Sequence, residues 1–309
     1  MRFIVFFLLL TGYSFALPPE AQLQIDDNVV SYFSNFLLDQ ENSAVEQAVI
    51  VVHGSERNAN TYFGSMEIVA NLTGNQSKTM IIAPHFKLST DSLADKELTW
   101  TDEGWLSGDA SLVNVKYSSF DVIDTFISKL ANKNIFPNLK KITVTGHSAG
   151  GQLTQRYALG TSLPNILIDI NFHFVSLNPG SYVYLSPNRK FLDEEKCAFN
   201  DYKYGLDNLN EYMSRNPKEI MISNYLQRHV TYLVGELDNN PQDIDQTCPA
   251  RYQGQTRLIR AQAFYELLNA EFSSQDHKLF VIPNVAHTQY GMYHSEIGIN
   301  IIWQNKEMK

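Results

Sequence analysis

Short apolar runs and helically spaced segments alternate along most of the chain. Residues 48–53 carry Ala-Val-Ile-Val-Val-His with no polar alternation, which predicts a strand buried on both faces of a parallel sheet. Residues 58–72 then space apolar groups at helical intervals. Further buried strands are predicted at 78–84, 141–145, 169–177, 229–234 and 278–282. Helices are predicted over 117–133, from the turn after 145 to about 159, over 255–272 and over 289–306. Residues 86–116 are polar and irregular, with Trp100 and Trp105 standing out. Residues 179–228 are rich in Asn, Tyr and charge and have weak periodicity; an insertion or cap is expected there. Strand–helix alternation over this length predicts an α/β fold, a mostly parallel sheet with helices on both faces, in one domain spanning 17–309.

The first sixteen residues stand outside that pattern. Met1-Arg2 supplies a positive charge, Phe3 to Leu10 is continuously apolar, and Ser14-Phe15-Ala16 has the small-x-small form of a cleavage site. A secretory signal peptide cleaved after Ala16 is expected, because the run is shorter than the roughly 20 apolar residues that span a bilayer. The protein is therefore expected to be secreted or periplasmic, without a stable membrane anchor. Export changes how the two cysteines read. In an oxidising compartment Cys197 and Cys248 form a disulfide; otherwise they are two buried thiols. Asn71-Leu72-Thr73 and Asn75-Gln76-Ser77 are glycosylation sequons.

Composition narrows the function. With 24 Lys+Arg against 33 Asp+Glu the formal charge is −9, and no basic run occurs, so no nucleic-acid partner is expected. At 44% hydrophobic and 18% charged, the 309 residues can bury a core without a metal staple. There is no H-E-x-x-H, P-loop or dinucleotide fingerprint.

The candidate chemistry lies at strand ends. Gly146-His147-Ser148-Ala149-Gly150 is a G-x-S-x-G that directly follows a predicted strand and opens a predicted helix. That turn forces the serine into a strained backbone, and small neighbours let strand and helix approach. Its hydroxyl is exposed at the mouth of the sheet, and the Ala149 amide at the helix start points toward a developing oxyanion. Serine needs a base. Among eight histidines, His287 sits in the loop after the last strand, where ligand sites of open α/β sheets lie. His294 is its nearest rival, inside the predicted closing helix. A carboxylate must orient the base; Asp238 follows the fifth strand, with Glu236 as runner-up and Asp243 and Asp245 further along the loop. The second oxyanion donor is expected in His53-Gly54-Ser55-Glu56-Arg57-Asn58-Ala59, from the amide of Ser55 rather than Glu56.

Taken together, these residues resemble the α/β-hydrolase superfamily. The resemblance spans about 46–306 and rests on Gly146–Gly151 after a strand, the His53-Gly54 loop, Asp238 after the next-to-last strand and His287 after the last. The chain order Ser148, Asp238, His287 matches that fold. The 53–59 loop also resembles secreted polyhydroxybutyrate depolymerases and feruloyl-esterase-like proteins. The resemblance implies a serine hydrolase with an acyl-enzyme, no cofactor, and a small or polymeric ester as substrate. A peptidase or amidase of the same fold, or a binding protein on a hydrolase scaffold, are the alternatives. Trp100, Trp105 and the tyrosines of 182–212 either line a cleft or pack an irregular segment onto the core.

Overall fold

The computed structural model describes residues 18–191 and 196–304. The expected signal peptide lies outside the described residues. Strands β1 (Ala21–Ile25), β2 (Asn28–Ser34), β3 (Gln47–Val52) and β4 (Thr79–Pro84) come first, with α1 (Ala59–Leu72) between the last two. After β4 come the two-residue strands β5 (Lys87–Leu88) and β6 (Thr99–Trp100), then α2 (Ser119–Leu130), β7 (Lys141–His147), α3 (Ala149–Gly160), α4 (Leu163–Ile166) and β8 (Asn171–Leu177). Next are α5 (Lys218–Leu226), β9 (Val230–Gly235), α6 (Cys248–Arg251), α7 (Arg257–Glu271) and β10 (Lys278–Ile282). The last elements are α8 (Gln289–His294) and α9 (Glu296–Ile299).

Among the described residues the main sheet runs β1-β2-β4-β3-β7-β8-β9-β10. It is parallel from β4 to β10, and the β1–β2 hairpin joins antiparallel at β4. The chain steps one way from β3 to β4 and the other way from β3's opposite edge onward through β7. The carboxyl ends of β3 and β7 therefore flank the crevice where strand order reverses. Every residue of β4 and β9 is buried, as unalternated apolar runs require. One core layer packs α2, α3 and α7 on one face of the sheet; the other packs α1, α8 and Trp303 on the opposite face.

The predicted strands and most helices occur close to their expected bounds. The β1–β2 hairpin was not expected, although its alternation is regular: Leu23 and Ile25 are buried while Gln22 and Gln24 are exposed. Its two-residue turn places Asp26 at φ 48°. The helix expected over 289–306 is broken. Ser295 leaves the helical region at φ −65°, ψ 153°, and its hydroxyl accepts from the Gly298 amide, capping a new helix. Of the 179–228 stretch, Tyr182 to Leu185 enters the core, and α5 supplies the crossover helix before β9. Trp100 and Trp105 are buried core residues packed around Phe86, so packing, not cleft lining, is their place. Cys197 and Cys248 are joined in a disulfide that ties this stretch to the loop after β9. Among the described residues no helix is long and apolar enough to cross a membrane.

Candidate active site

Ser148 sits between β7 and α3 at φ 60°, ψ −117°, a backbone that side chains avoid unless the surroundings enforce it. The surroundings are carbonyl oxygens at contact distance. A Cβ on Gly146 would lie 2.3 Å from the Gly150 carbonyl oxygen, and one on Gly150 would lie 2.3 Å from that of Val52. One on Gly151 would lie 2.4 Å from the Leu177 carbonyl oxygen. Gly146 is thus required by the close approach of α3 to its own strand, Gly150 by β3, and Gly151, just past the motif, by β8. The Ser148 amide donates to the Leu177 carbonyl at 2.9 Å, which fixes the turn to the neighbouring strand.

His287 and Asp238 reach Ser148 from the ends of β10 and β9. The His287 Nδ1–H donates to Asp238 Oδ2 at 2.7 Å, leaving Nε2 to accept from the Ser148 hydroxyl at 3.0 Å. The Asp238 side chain is 1% exposed while that of His287 is 29% exposed, so the carboxylate is sealed and the imidazole is open to solvent. The two loops interlock: a Cβ on Gly235 would lie 2.3 Å from the Val285 carbonyl oxygen. Glu236, the other carboxylate considered for this role, accepts from the Asn284 amide at 2.9 Å and holds the turn that leads to His287. Asp245 accepts from the Tyr204 hydroxyl, away from the imidazole. His294 meets Ser65 instead of Ser148.

Several residues at the site carry no sequence motif. Arg257 at the start of α7 places Nη1 3.4 Å from Asp238 Oδ1, on the side of the carboxylate opposite His287. Burial lowers its guanidinium from its ordinary value and the Asp238 charge opposes that shift. The motif residue His147 turns inward. Its ring lies 4.5 Å from the His287 ring and forms a floor beneath it. Asn178, at φ 44° after β8, accepts from the Gly235 amide and donates from Nδ2 to His147 Nε2 at 3.3 Å. That leaves the proton on His147 Nδ1, which faces the Tyr62 hydroxyl at 3.3 Å. Burial and the neighbouring His287 hold His147 well below the ordinary histidine range. It is a neutral support for the ring above it.

The loop after β3 brings Gly54 against the serine; a Cβ there would lie 3.7 Å from Ser148 Cβ. His53 is fully buried, accepts the Phe86 amide at Nε2 and donates from Nδ1 to the Gly54 carbonyl. Burial pushes it down to about 3. Neither the Ser55 nor the Ala149 amide donates to a protein acceptor among the described residues. The Ala149 amide opens α3, where the helix dipole favours negative charge. Among the described residues no group of three His, Cys, Asp or Glu side chains has a metal-binding arrangement.

No protein-family model matches the sequence, and no curated protein matches it. Solved structures do match in fold. The chain is similar to LpqC, a poly(3-hydroxybutyrate) depolymerase from Bordetella parapertussis, at TM-score 0.67 and 18% identity over 94% of this chain and 91% of that one. It is similar to poly(aspartic acid) hydrolase-1 from Sphingomonas sp. KT-1 at TM-score 0.67 and 19% identity, over 93% of this chain and 100% of the other. FphF, a fluorophosphonate-binding serine hydrolase of Staphylococcus aureus, matches at TM-score 0.52 and 14% identity over 94% and 98%. The chain has the α/β-hydrolase fold.

Proposed function

We propose that this chain is a secreted serine hydrolase that cleaves carboxylic esters through an acyl-enzyme on Ser148. The observation that carries the reading is the hydrogen-bonded line Asp238–His287–Ser148, with the serine on a strained turn at the reversal point of the sheet. His287 Nε2 takes the serine proton as Oγ attacks the carbonyl carbon. Asp238 holds the tautomer and stabilises the imidazolium. The amides of Ser55 and Ala149 donate to the oxyanion of the tetrahedral intermediate. His287 gives the proton to the departing alkoxide, and a water activated by the same imidazole releases the acid. Each step uses groups of the chain and water alone.

The two similar structures at TM-score 0.67 are those of a poly(3-hydroxybutyrate) depolymerase and a poly(aspartic acid) hydrolase, so a polymeric substrate belongs to the reading. The disulfide and the sequence of residues 1–16 support export. The test is hydrolysis of a nitrophenyl-ester series, acetate to palmitate, by protein beginning at Leu17, beside Ser148→Ala and a matched anilide. Ester turnover that vanishes in Ser148→Ala is expected. Faster turnover of the anilide would move the reading to an amidase. A folded wild type that neither turns over esters nor is labelled by a fluorophosphonate would overturn it.

A further inference from the structure

The amide of Ser55 can stabilise an oxyanion only if its peptide plane is held, because N–H direction follows the plane of the Gly54–Ser55 bond. The Gly54 carbonyl, at the other side of that plane, accepts from His53 Nδ1 at 2.9 Å and from the Arg57 amide at 3.0 Å. The next carbonyl, that of Ser55, accepts from the Arg57 guanidinium at 3.3 Å. Both peptide planes that include Ser55 are therefore held, and Arg57 contributes to each. Arg57 is itself pinned. Its Nε and Nη2 donate to the two carboxylate oxygens of Asp91, each at 3.2 Å, and Nη1 lies 3.6 Å from Asp102. A two-pronged pair of this kind fixes direction as well as distance. Asp91 is anchored in turn, accepting from the Leu88 amide at 2.8 Å on β5. Arg57 stands at φ 54°, so the loop accepts backbone strain to aim this side chain back over Ser55.

We infer that the Arg57–Asp91 pair is a positioning brace for the oxyanion donor, aiming the Ser55 amide at the carbonyl oxygen of the bound acyl group. The inference rests on the hydrolase reading above. Arg57 touches neither Ser148 nor His287; it acts through the backbone of Ser55. The Arg57 and Asp91 side chains are 21% and 26% exposed and lie outside the two core layers, so losing the pair leaves the fold intact.

Arg57→Gln and Asp91→Asn each remove the bidentate pair; Asp91→Asn keeps the side-chain size, and Arg57→Gln keeps a polar group on a shorter side chain. Both are expected to lower kcat for a nitrophenyl ester about tenfold, less than the ~10²–10³ lost when an oxyanion donor is removed outright. KM is expected to stay within twofold, and affinity for an alkylboronic acid, a tetrahedral mimic, to fall by the same factor as kcat. Arg57→Lys, which retains the charge without the fork, is expected to fall between. Hydrogen exchange of the peptide covering 53–58 is expected to quicken in Arg57→Gln and Asp91→Asn, with the remaining peptides unchanged. Unchanged kcat, a KM rise in place of the kcat loss, or a disagreement between Arg57→Gln and Asp91→Asn would each overturn the brace. An inactive wild type would sink the hydrolase reading alone. The exchange measurement would still decide the brace, with unaltered exchange at 53–58 ending it.

Discussion

Acid should destabilise this protein through histidines that are buried neutral, and His277 offers the cleanest measurement. It is 2% exposed, donates from Nε2 to the Tyr225 carbonyl at 2.8 Å and accepts at Nδ1 from the Tyr232 hydroxyl at 2.9 Å. Desolvation pulls it from 6.5 down to about 4, against the pull of the Tyr225 carbonyl and Asp276 and with the help of His229 and Arg228. The folded value is the lower one, so the unfolded chain binds the extra proton. Stability is whole above pH 6.5 and declines as pH falls toward 4. At pH 5 the unfolded imidazole is almost fully protonated and the folded one almost fully neutral. Linkage then gives a loss of about 2 kcal/mol relative to pH 8. The size depends little on the folded value, because the proton is still nearly absent from the folded state at that pH. Urea unfolding of wild type and His277→Gln at pH 8 and pH 5 isolates it. Whatever the substitution costs in packing is the same at both pH values and cancels in the difference, as do the contributions of His53, His147 and His173. The wild type is expected to lose about 2 kcal/mol more than His277→Gln over that interval. Equal losses would refute the reasoning, since they would mean that His277 binds its proton equally in both states.

Other measurements follow from the same geometry. Asp238→Asn leaves the shape of the site and removes the acceptor that fixes the His287 tautomer; kcat for an ester is expected to fall by about 10⁴, and melting temperature to fall as well because the sealed Arg257 loses its counter-charge. Arg257→Met leaves Asp238 sealed without its second partner, and a chemical-denaturation series is expected to register a loss of roughly 3–5 kcal/mol, as for other broken buried pairs. Gly150→Ala drives a methyl to 2.3 Å from the Val52 carbonyl oxygen; ester turnover is expected to vanish, and soluble expression to drop, even though Ser148 is untouched. Opening the Cys197–Cys248 loop, with its 51-residue separation, is expected to cost up to about 4 kcal/mol in urea unfolding with and without reductant.

What the sequence revealed and what it concealed divide along physical lines. β3 and β4 are buried on both faces and are written as nearly continuous apolar runs; β7, β8 and β9 keep enough apolar and β-branched residues around Thr143, Thr145, His173, Ser176 and Thr231 to be found without a partner in view. Ser148 announced itself because its turn requires particular small residues in a row. His287 and Asp238 were found only by position, as a histidine and an acid following the last two strands. The β1–β2 hairpin was missed because half its residues are polar and its pairing depends on β4, some fifty residues away. The break at Ser295 was hidden because a single cap interrupted an otherwise helical spacing. Arg257, Asn178 and Tyr62 could not be found at all: each acts through a contact between segments distant in the chain, and none belongs to a local pattern. Nor did the tryptophans declare whether they faced solvent or core, since an aromatic ring serves either purpose.

The interlocked turns also govern how the molecule loses its site. Ser148 is referenced to β3 through the carbonyls that crowd Gly150 and to β8 through Leu177. Asp238 and His287 are referenced to each other where Gly235 meets Val285. A fluctuation that separates the three side chains must therefore part β3, β7 and β8 in the middle of the sheet, or lift the edge strand β10 from β9. The first opening belongs to the most protected unit of a domain and the second to an edge. On warming, the site therefore loosens first on the His287 side, while Ser148 stays tied to the central strands. Residual activity should decline ahead of native ellipticity, and the slowest-exchanging amides should be those beside Ser148.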